Sequence, residues 1–141
     1  MPVTFAANDH SITSLAFSVD YDETWLALDP TDRVGNGIPD AVVFSLPGDF
    51  TPSVIFDESD ADGEVDIFIG DISPPLTALS DGPIAFMILN AASSPGRTEG
   101  AVLFSLDPSA SFGDTSGRSV PGPATPTGRY QYQIYLPGVI H

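Results

Sequence analysis

The sequence predicts an all-β domain built as a β-sandwich, and three observations lead to that fold class. Apolar and polar residues alternate with period two in many short runs, and no stretch longer than about two turns shows the period of a helix. The 14 prolines and 13 glycines are spread along the 141 residues instead of being gathered in a tail. Roughly eight or nine short strands separated by such turn residues are typical of a sandwich.

Each predicted strand is an alternating or apolar run that turn residues bound on both sides. In chain order, the runs are residues 3–7, 12–21, 25–28, 41–46, 54–56, 64–72, 83–92, 101–106 and 129–136.

In the first half of the chain, Asn, Asp, Gly and Pro mark the ends of the strands. The opening strand stops at Asn8-Asp9, and the third begins at Trp25, after an acidic corner. The strand 12–21 alternates regularly from Ser14 onward: Leu15, Phe17, Val19 and Tyr21 share one face, and Ser14, Ala16, Ser18 and Asp20 share the other. The fourth strand is a short apolar run inside a segment, residues 29–52, that is otherwise rich in Gly, Pro and Asp.

In the second half, an acidic loop joins strands 54–56 and 64–72 into a hairpin. The turn Asp81-Gly82 precedes strand 83–92, which is apolar on both faces and is therefore either covered on both sides or the bearer of an exposed patch. A Pro- and Gly-rich connection leads to the last strand. We expect one domain over residues 1–136 and a linker stub over residues 137–141.

The charge balance excludes several classes of partner. Nineteen acidic residues against four basic ones give a net charge of −15. Nucleic acids and anionic membranes are disfavoured, because affinity for either comes mainly from Lys and Arg. A basic protein surface or calcium would be attracted. The absence of cysteine excludes thiolate chemistry, disulfides and zinc–thiolate sites.

Catalysis is not expected. The two histidines are His10, beside a turn, and His141, the last residue, so no nucleophile–histidine arrangement is indicated. Carboxylates are too abundant for any pair to be singled out as acid and base.

Two loops are similar to calcium-binding motifs. In the first, Glu58, Asp60, Asp62 and Gly63 take positions one, three, five and six of an EF-type loop, but Ile69 stands where the closing carboxylate belongs. We interpret it as an acidic turn between strands. In the second, Val34 stands where an oxygen ligand belongs, and the sequence leaves open a structural ion held by Asp32, Asn36 and Asp40.

The strand 64–72 predicts a binding surface. Asp66 would be costly to bury, so the face that carries Asp66 and Phe68 is expected to point to solvent. The hairpin partner offers Val54 and Phe56 at the same spacing, so we expect them to join Phe68 in a flat apolar patch with acids at its rim.

Several segments, in this order and spacing, resemble the cohesin domains of cellulosomes and related extracellular assemblies. The matching pieces are residues 11–26 (SITSLAFSVDYDETWL), residues 63–71 (GEVDIFIGD), residues 76–89 around Asp81-Gly82, the motif Phe112-Gly113-Asp114-Thr115-x-Gly117, and the closing strand after Gly128. Together they extend over about residues 2–136.

The resemblance implies a nine-stranded jelly-roll sandwich, or eight strands if the first is missing, because the chain begins at what resembles the second strand of the family. Either residues 134–140 then fill the open sheet edge, or the first strand has been trimmed. It also implies a non-catalytic scaffoldin module, extracellular or at the cell surface, that binds dockerin-bearing proteins such as polysaccharide-degrading enzymes. Calcium is expected on the dockerin, and no cofactor on this chain.

In similar proteins the dockerin lies on the face formed by strands that correspond here to residues 11–21, 53–56, 64–71 and 103–114. The contact positions that the resemblance implies are Ser14, Ala16, Val54, Phe56, Phe68, Asp71, Ser111 and Gly113. Ser14 and Ala16 replace polar residues that often hydrogen-bond the dockerin, so the register of contacts or the specificity is expected to differ.

Two other functions remain open. A carbohydrate-binding or adhesion module of the same fold class would show an exposed aromatic platform or an ordered calcium at residues 32–40. A purely structural spacer would show neither a patch nor a ligand.

Overall fold

A computed structural model describes residues 1–56, 63–91, 99–105, 109–121 and 130–133. These residues form twelve β-strands and no helix. The strands are β1 (Pro2–Phe5), β2 (Ile12–Tyr21), β3 (Leu26–Leu28), β4 (Val42–Phe44), β5 (Phe50–Phe56), β6 (Glu64–Asp71), β7 (Gly82–Met87), β8 (Leu89–Ala91), β9 (Glu99–Phe104), β10 (Ser111–Asp114), β11 (Ser119–Val120) and β12 (Tyr130–Gln133). The prediction of an all-β sandwich is confirmed.

The strand count exceeds the eight or nine expected for two reasons. One predicted strand divides into two, and two short strands form where none was predicted. The predicted strand 83–92 divides into β7 and β8, which pair with different strands. The β7 strand pairs with β1 and β4, and β8 pairs with β3. The stretch after residue 110 forms the short β10 and β11. Its few apolar residues gave too weak a pattern for a strand prediction.

The larger sheet has seven strands and is organised around β2. Its order is β11-β10-β2-β6-β5, and every pairing is antiparallel. The ten-residue β2 pairs with β6 along one side. Along its other side, β10 pairs with its first half and β9 with residues Val19 to Tyr21. The β12 strand pairs with β9, and the predicted filling of an edge by residues 134–140 lies outside the described residues.

The opposite layer of the sandwich consists of a three-stranded sheet in the order β1-β7-β4 and a two-stranded sheet of β3 and β8. The register between β1 and β7 shifts by one residue, so that Val3 pairs with Ala85 and Thr4 with Pro83. The extra residue, Ile84, is buried together with Ala85. Beyond this bulge, Phe86 and Ile88 are exposed. Strand 83–92 therefore bears an exposed patch instead of being covered on both sides.

Both layers contribute to a single hydrophobic core. Alternate residues of β2 and β6 point into it from the larger sheet, and β1, β4 and β7 supply side chains from the opposite layer. The most deeply buried large side chains are Val19, Val65, Ile67, Ile69 and Met87. Because the inward residues of β2 and β6 form the core, their outward residues lie on the surface of the larger sheet. Within the described part of the chain, no helix is long and apolar enough to cross a membrane.

Candidate docking surface

The side of the larger sheet that points away from the core is called the outer face here. Cross-strand register places its residues in four rows, because directly paired residues in antiparallel strands point to the same side. The residues on this side are Ser14, Ala16, Ser18, Asp20, Thr51, Ser53, Ile55, Glu64, Asp66, Phe68, Gly70, Leu103, Ser111 and Gly113.

Phe68 is the only aromatic side chain on the outer face among the residues that the structure describes, and it is 43% exposed. Its direct cross-strand neighbours are small, Ala16 on β2 and Ser53 on β5. The ring lies over Gly70, where a Cβ atom would be only 2.8 Å from Phe68 Cζ. Glycine at position 70 thus leaves room for the ring of Phe68 against the sheet.

The strand β10 extends this flat region on the other side of β2. Ser111 pairs with Ala16, and Gly113 pairs with Ser14. A Cβ atom on Gly113 would collide with Ser14 Oγ, so a larger residue at position 113 would require the Ser14 side chain to move. Five predicted contact residues therefore share one surface: Ser14, Ala16, Phe68, Ser111 and Gly113. Asp66 also lies on this side, as expected, and accepts a hydrogen bond from Ser18 Oγ.

The placement of Val54 and Phe56 beside Phe68 is wrong. Val54 pairs with Ile67 and Phe56 with Val65, so both point to the inner side of the sheet and pack against the core. The sequence contained the relevant signal, because β5 starts at Phe50 and its apolar alternation continues through Val54 and Phe56. The outward residues of β5 are Thr51, Ser53 and Ile55, and Ile55 is 67% exposed.

Asp71 is also misplaced by the prediction, because its side chain is buried on the core side of β6. Its carboxylate accepts hydrogen bonds from the backbone N–H groups of Ser73, at 2.8 Å, and Thr77, at 2.6 Å. Asp71 thus anchors the segment after β6 and cannot contact a partner on the outer face.

Replacing Asp71 with alanine is expected to lower the free energy of unfolding by about 2 kcal/mol, because two backbone donors lose a charged acceptor. Chemical denaturation measures this loss. Thr51→Ala, an exposed substitution on β5, should change stability by less than about 0.5 kcal/mol. Equal stability of Asp71→Ala and the unmodified protein would show that the carboxylate does not anchor this segment.

In the structure, the side chains of Asp32, Asn36 and Asp40 all form contacts within their own loop. Asp32 accepts hydrogen bonds from the backbone N–H groups of Gly35 and Gly37, both at 2.7 Å. Asn36 Oδ1 accepts one from Ile38, and Asp40 forms an ion pair with Arg33 at 3.5 Å. Among the described residues, no three His, Asp or Glu side chains are grouped so that they could hold a metal ion. The side-chain oxygens of Asp32 and Asn36 thus accept hydrogen bonds from the backbone of their own turns.

The hydrogen bonds to Asp32 in this loop should make its contribution to stability depend on pH. The backbone hydrogen bond from Gly37, reinforced by that from Gly35, lowers the pKa of Asp32 from its ordinary value of 3.8. Because the pKa is lowered in the folded state, the stabilising effect is complete above about pH 4 and is lost as the pH falls through the lowered value. A carboxyl NMR titration should give a midpoint below 3.8 for Asp32, unchanged by calcium. A calcium-dependent midpoint would contradict this account of the loop.

The other calcium-like loop lies outside the described residues except for Gly63. The backbone of Gly63 has φ 63°, and its carbonyl accepts a hydrogen bond from Tyr21 N at 2.9 Å. A Cβ atom at this position would collide with the Tyr21 carbonyl oxygen. Pairing with the end of β2 therefore accounts for this glycine.

Comparison with known proteins decides the fold. No protein-family model matches the sequence, and no curated protein matches it. Among solved structures, the chain is similar to the sixth cohesin of scaffoldin B from Acetivibrio cellulolyticus, crystallised in complex with a mutant Cel5 dockerin. The TM-score is 0.57, and the match covers 88% of this chain and 81% of that one. The chain has the cohesin fold.

At 24% identity, the similarity to this cohesin concerns the fold. It confirms the resemblance derived from the ordered segments of the sequence. In this cohesin-like sandwich, the outer face carries an exposed aromatic ring among small residues, and it is bordered by two further exposed aliphatic side chains, Ile55 and Leu103.

Proposed function

We propose that this domain is a non-catalytic module that binds a dockerin through its outer face, in an extracellular or cell-surface assembly of the cellulosome type. The observation that carries the proposal is the flat surface around Phe68, where a partly exposed aromatic ring is surrounded by Ala16, Ser53 and Gly70. Such a centre can be desolvated completely by a partner, as the energetic centres of protein interfaces are.

The fold supports the same proposal. One structural neighbour is a cohesin in complex with a dockerin, and this chain has a similar fold over most of both lengths. Polysaccharide-degrading enzymes that carry dockerins are the proposed partners, with calcium bound by the dockerin.

The carbohydrate-binding alternative has less support in the structure. Trp25, the only tryptophan of the chain, is buried in the core and cannot stack on a sugar. Phe68 and Phe86 are both exposed but belong to opposite layers of the sandwich, so they do not form one platform.

Calorimetry and native gels with a panel of dockerins, each in calcium and in chelator, test the proposal. A complex that forms in calcium and is lost in chelator is expected. Failure of every dockerin in calcium would overturn the proposal, and binding on a glycan array would then favour the carbohydrate alternative.

A further inference from the structure

The loop between β3 and β4 contains the dipeptide Asn36-Gly37, whose side-chain amide is open to a spontaneous reaction with its own backbone. The chain has three asparagines, and of these only Asn36 precedes a glycine. Glycine at this position favours the reaction, because it has no Cβ atom to hinder the approach of the backbone. Both residues are exposed, and a Cβ atom at position 37 would meet no described atom within 4 Å. Packing therefore does not shield the dipeptide.

The reaction is deamidation. The backbone nitrogen of Gly37 attacks Cγ of the Asn36 side chain, so the bond between these two atoms forms and the bond from Cγ to Nδ2 breaks. Ammonia leaves with the two hydrogens of the side-chain amide and the proton of the backbone nitrogen. Water then opens the cyclic succinimide to give aspartate or isoaspartate, and isoaspartate lengthens the backbone. Position 36 gains a negative charge in either case.

Two hydrogen bonds of the loop act on this reaction in opposite directions. The backbone N–H of Ile38 donates to Asn36 Oδ1 at 3.0 Å. A donor at this oxygen polarises the amide carbonyl and stabilises the negative charge that develops on it during the attack. The backbone N–H of Gly37, the attacking group, instead donates to Asp32 Oδ2 at 2.7 Å. The loop thus favours the reaction at the side-chain carbonyl and opposes it at the nitrogen.

Asp32 opposes the attack for an electrostatic reason. The nitrogen of Gly37 must lose its proton to attack, and negative charge that develops there is repelled by the carboxylate beside it. A hydrogen bond to a carboxylate is also stronger than one to a neutral acceptor. The bond from Gly37 is the main reason why the pKa of Asp32 lies below its ordinary value of 3.8. The carboxylate is therefore ionised at neutral pH and is a poor base for an amide proton.

We propose that Asn36-Gly37 is a deamidation site of this domain, and that Asp32 suppresses the reaction there by holding the backbone N–H of Gly37. The inference is independent of dockerin binding. It gives the aspartate of the second calcium-like loop a role that requires no ion.

Peptide mapping by mass spectrometry measures the rate of deamidation at Asn36 while the folded domain is incubated at neutral pH. Asp32→Asn should react about tenfold faster than the unmodified protein, because the charge beside the attacking nitrogen is removed. Asp40→Asn is the control. It removes the same charge from the same loop, but Asp40 contacts Arg33 and not the attacking nitrogen. The control should react at nearly the rate of the unmodified protein.

Fragment spectra separate position 36 from the asparagine that Asp32→Asn introduces. Amide NMR signals of Arg33 and Ile38 verify that the loop keeps its conformation in each variant. Equal rates for Asp32→Asn and Asp40→Asn would overturn the inference, because loop rigidity and not the bond to Gly37 would then control the reaction. A slower reaction in Asp32→Asn would also overturn it, since the carboxylate would then act as a base.

A second measurement needs no variant. A synthetic peptide of residues 29–40, in which the loop is unfolded, should deamidate at least about tenfold faster than the same residues in the domain. Equal rates in the peptide and in the folded domain would show that the loop gives no protection and would overturn the inference.

Discussion

Phe68→Asp is expected to weaken dockerin binding by about 2 kcal/mol or more, which is roughly 30-fold in affinity. The ring lies over Gly70 between two small neighbours, so a partner that covers it removes apolar area from water. Aspartate would place a charge at the centre of that contact and leave it without a cationic partner there. Isothermal titration calorimetry measures the loss.

Phe86→Asp is the matched control. Phe86 is 44% exposed, nearly the same as Phe68, but it lies on β7, in the opposite layer of the sandwich. Its replacement makes the same chemical change at an equally exposed site and should leave the affinity for dockerin unchanged. If Phe86→Asp weakens binding and Phe68→Asp does not, the docking surface has been assigned to the wrong layer.

Ile67→Ala, one residue away from Phe68, is expected to lower the free energy of unfolding by about 3 kcal/mol. Ile67 is among the most deeply buried side chains of the core, between Phe17 on β2 and Val54 on β5 in the register of the sheet. Its truncation leaves a cavity that closely packed neighbours cannot fill. Urea denaturation measures the change, and an unaltered m-value would show that it arises from stability alone.

Ile55→Ala makes the same substitution on the outer face. Because Ile55 is 67% exposed, its truncation should cost less than about 1 kcal/mol. Similar losses for Ile67→Ala and Ile55→Ala would contradict the inward and outward assignment of residues on β5 and β6.

The sequence was sufficient to predict the central strands and the orientation of their residues. In β2, apolar residues alternate with small or polar ones over residues 14–21, so only one register buries the apolar set. In β6, the cost of burying Asp66 identified the outward side, and with it Phe68. The same regularity allowed the fold to be inferred from the order of the segments.

The alignment of β5 could not be predicted in the same way. The prediction started this strand at Val54 and inferred its facing residues from spacing, although hairpin register depends on the joining loop as well as on alternation. Recognition of Phe50 as the first residue would have placed Val54 and Phe56 on the inner side. The three residues are separated by even numbers of positions, so they point to the same side of the strand as the buried Phe50.

Asp71 shows a different limit of sequence reasoning. A carboxylate at the end of an amphipathic strand is normally expected in solvent. Here the next segment turns back, so that two of its N–H groups hydrogen-bond the buried carboxylate. Only the path of the chain after β6 reveals this role, and the sequence pattern does not specify that path.

Mapping of a bound dockerin by amide chemical shifts, with the domain isotope-labelled, tests most directly whether the outer face is the docking surface. We expect the largest changes at Ala16, Phe68 and Gly113, on three adjacent strands of the larger sheet. Changes concentrated instead at Val43 and Phe86, in the opposite layer, would contradict the assignment.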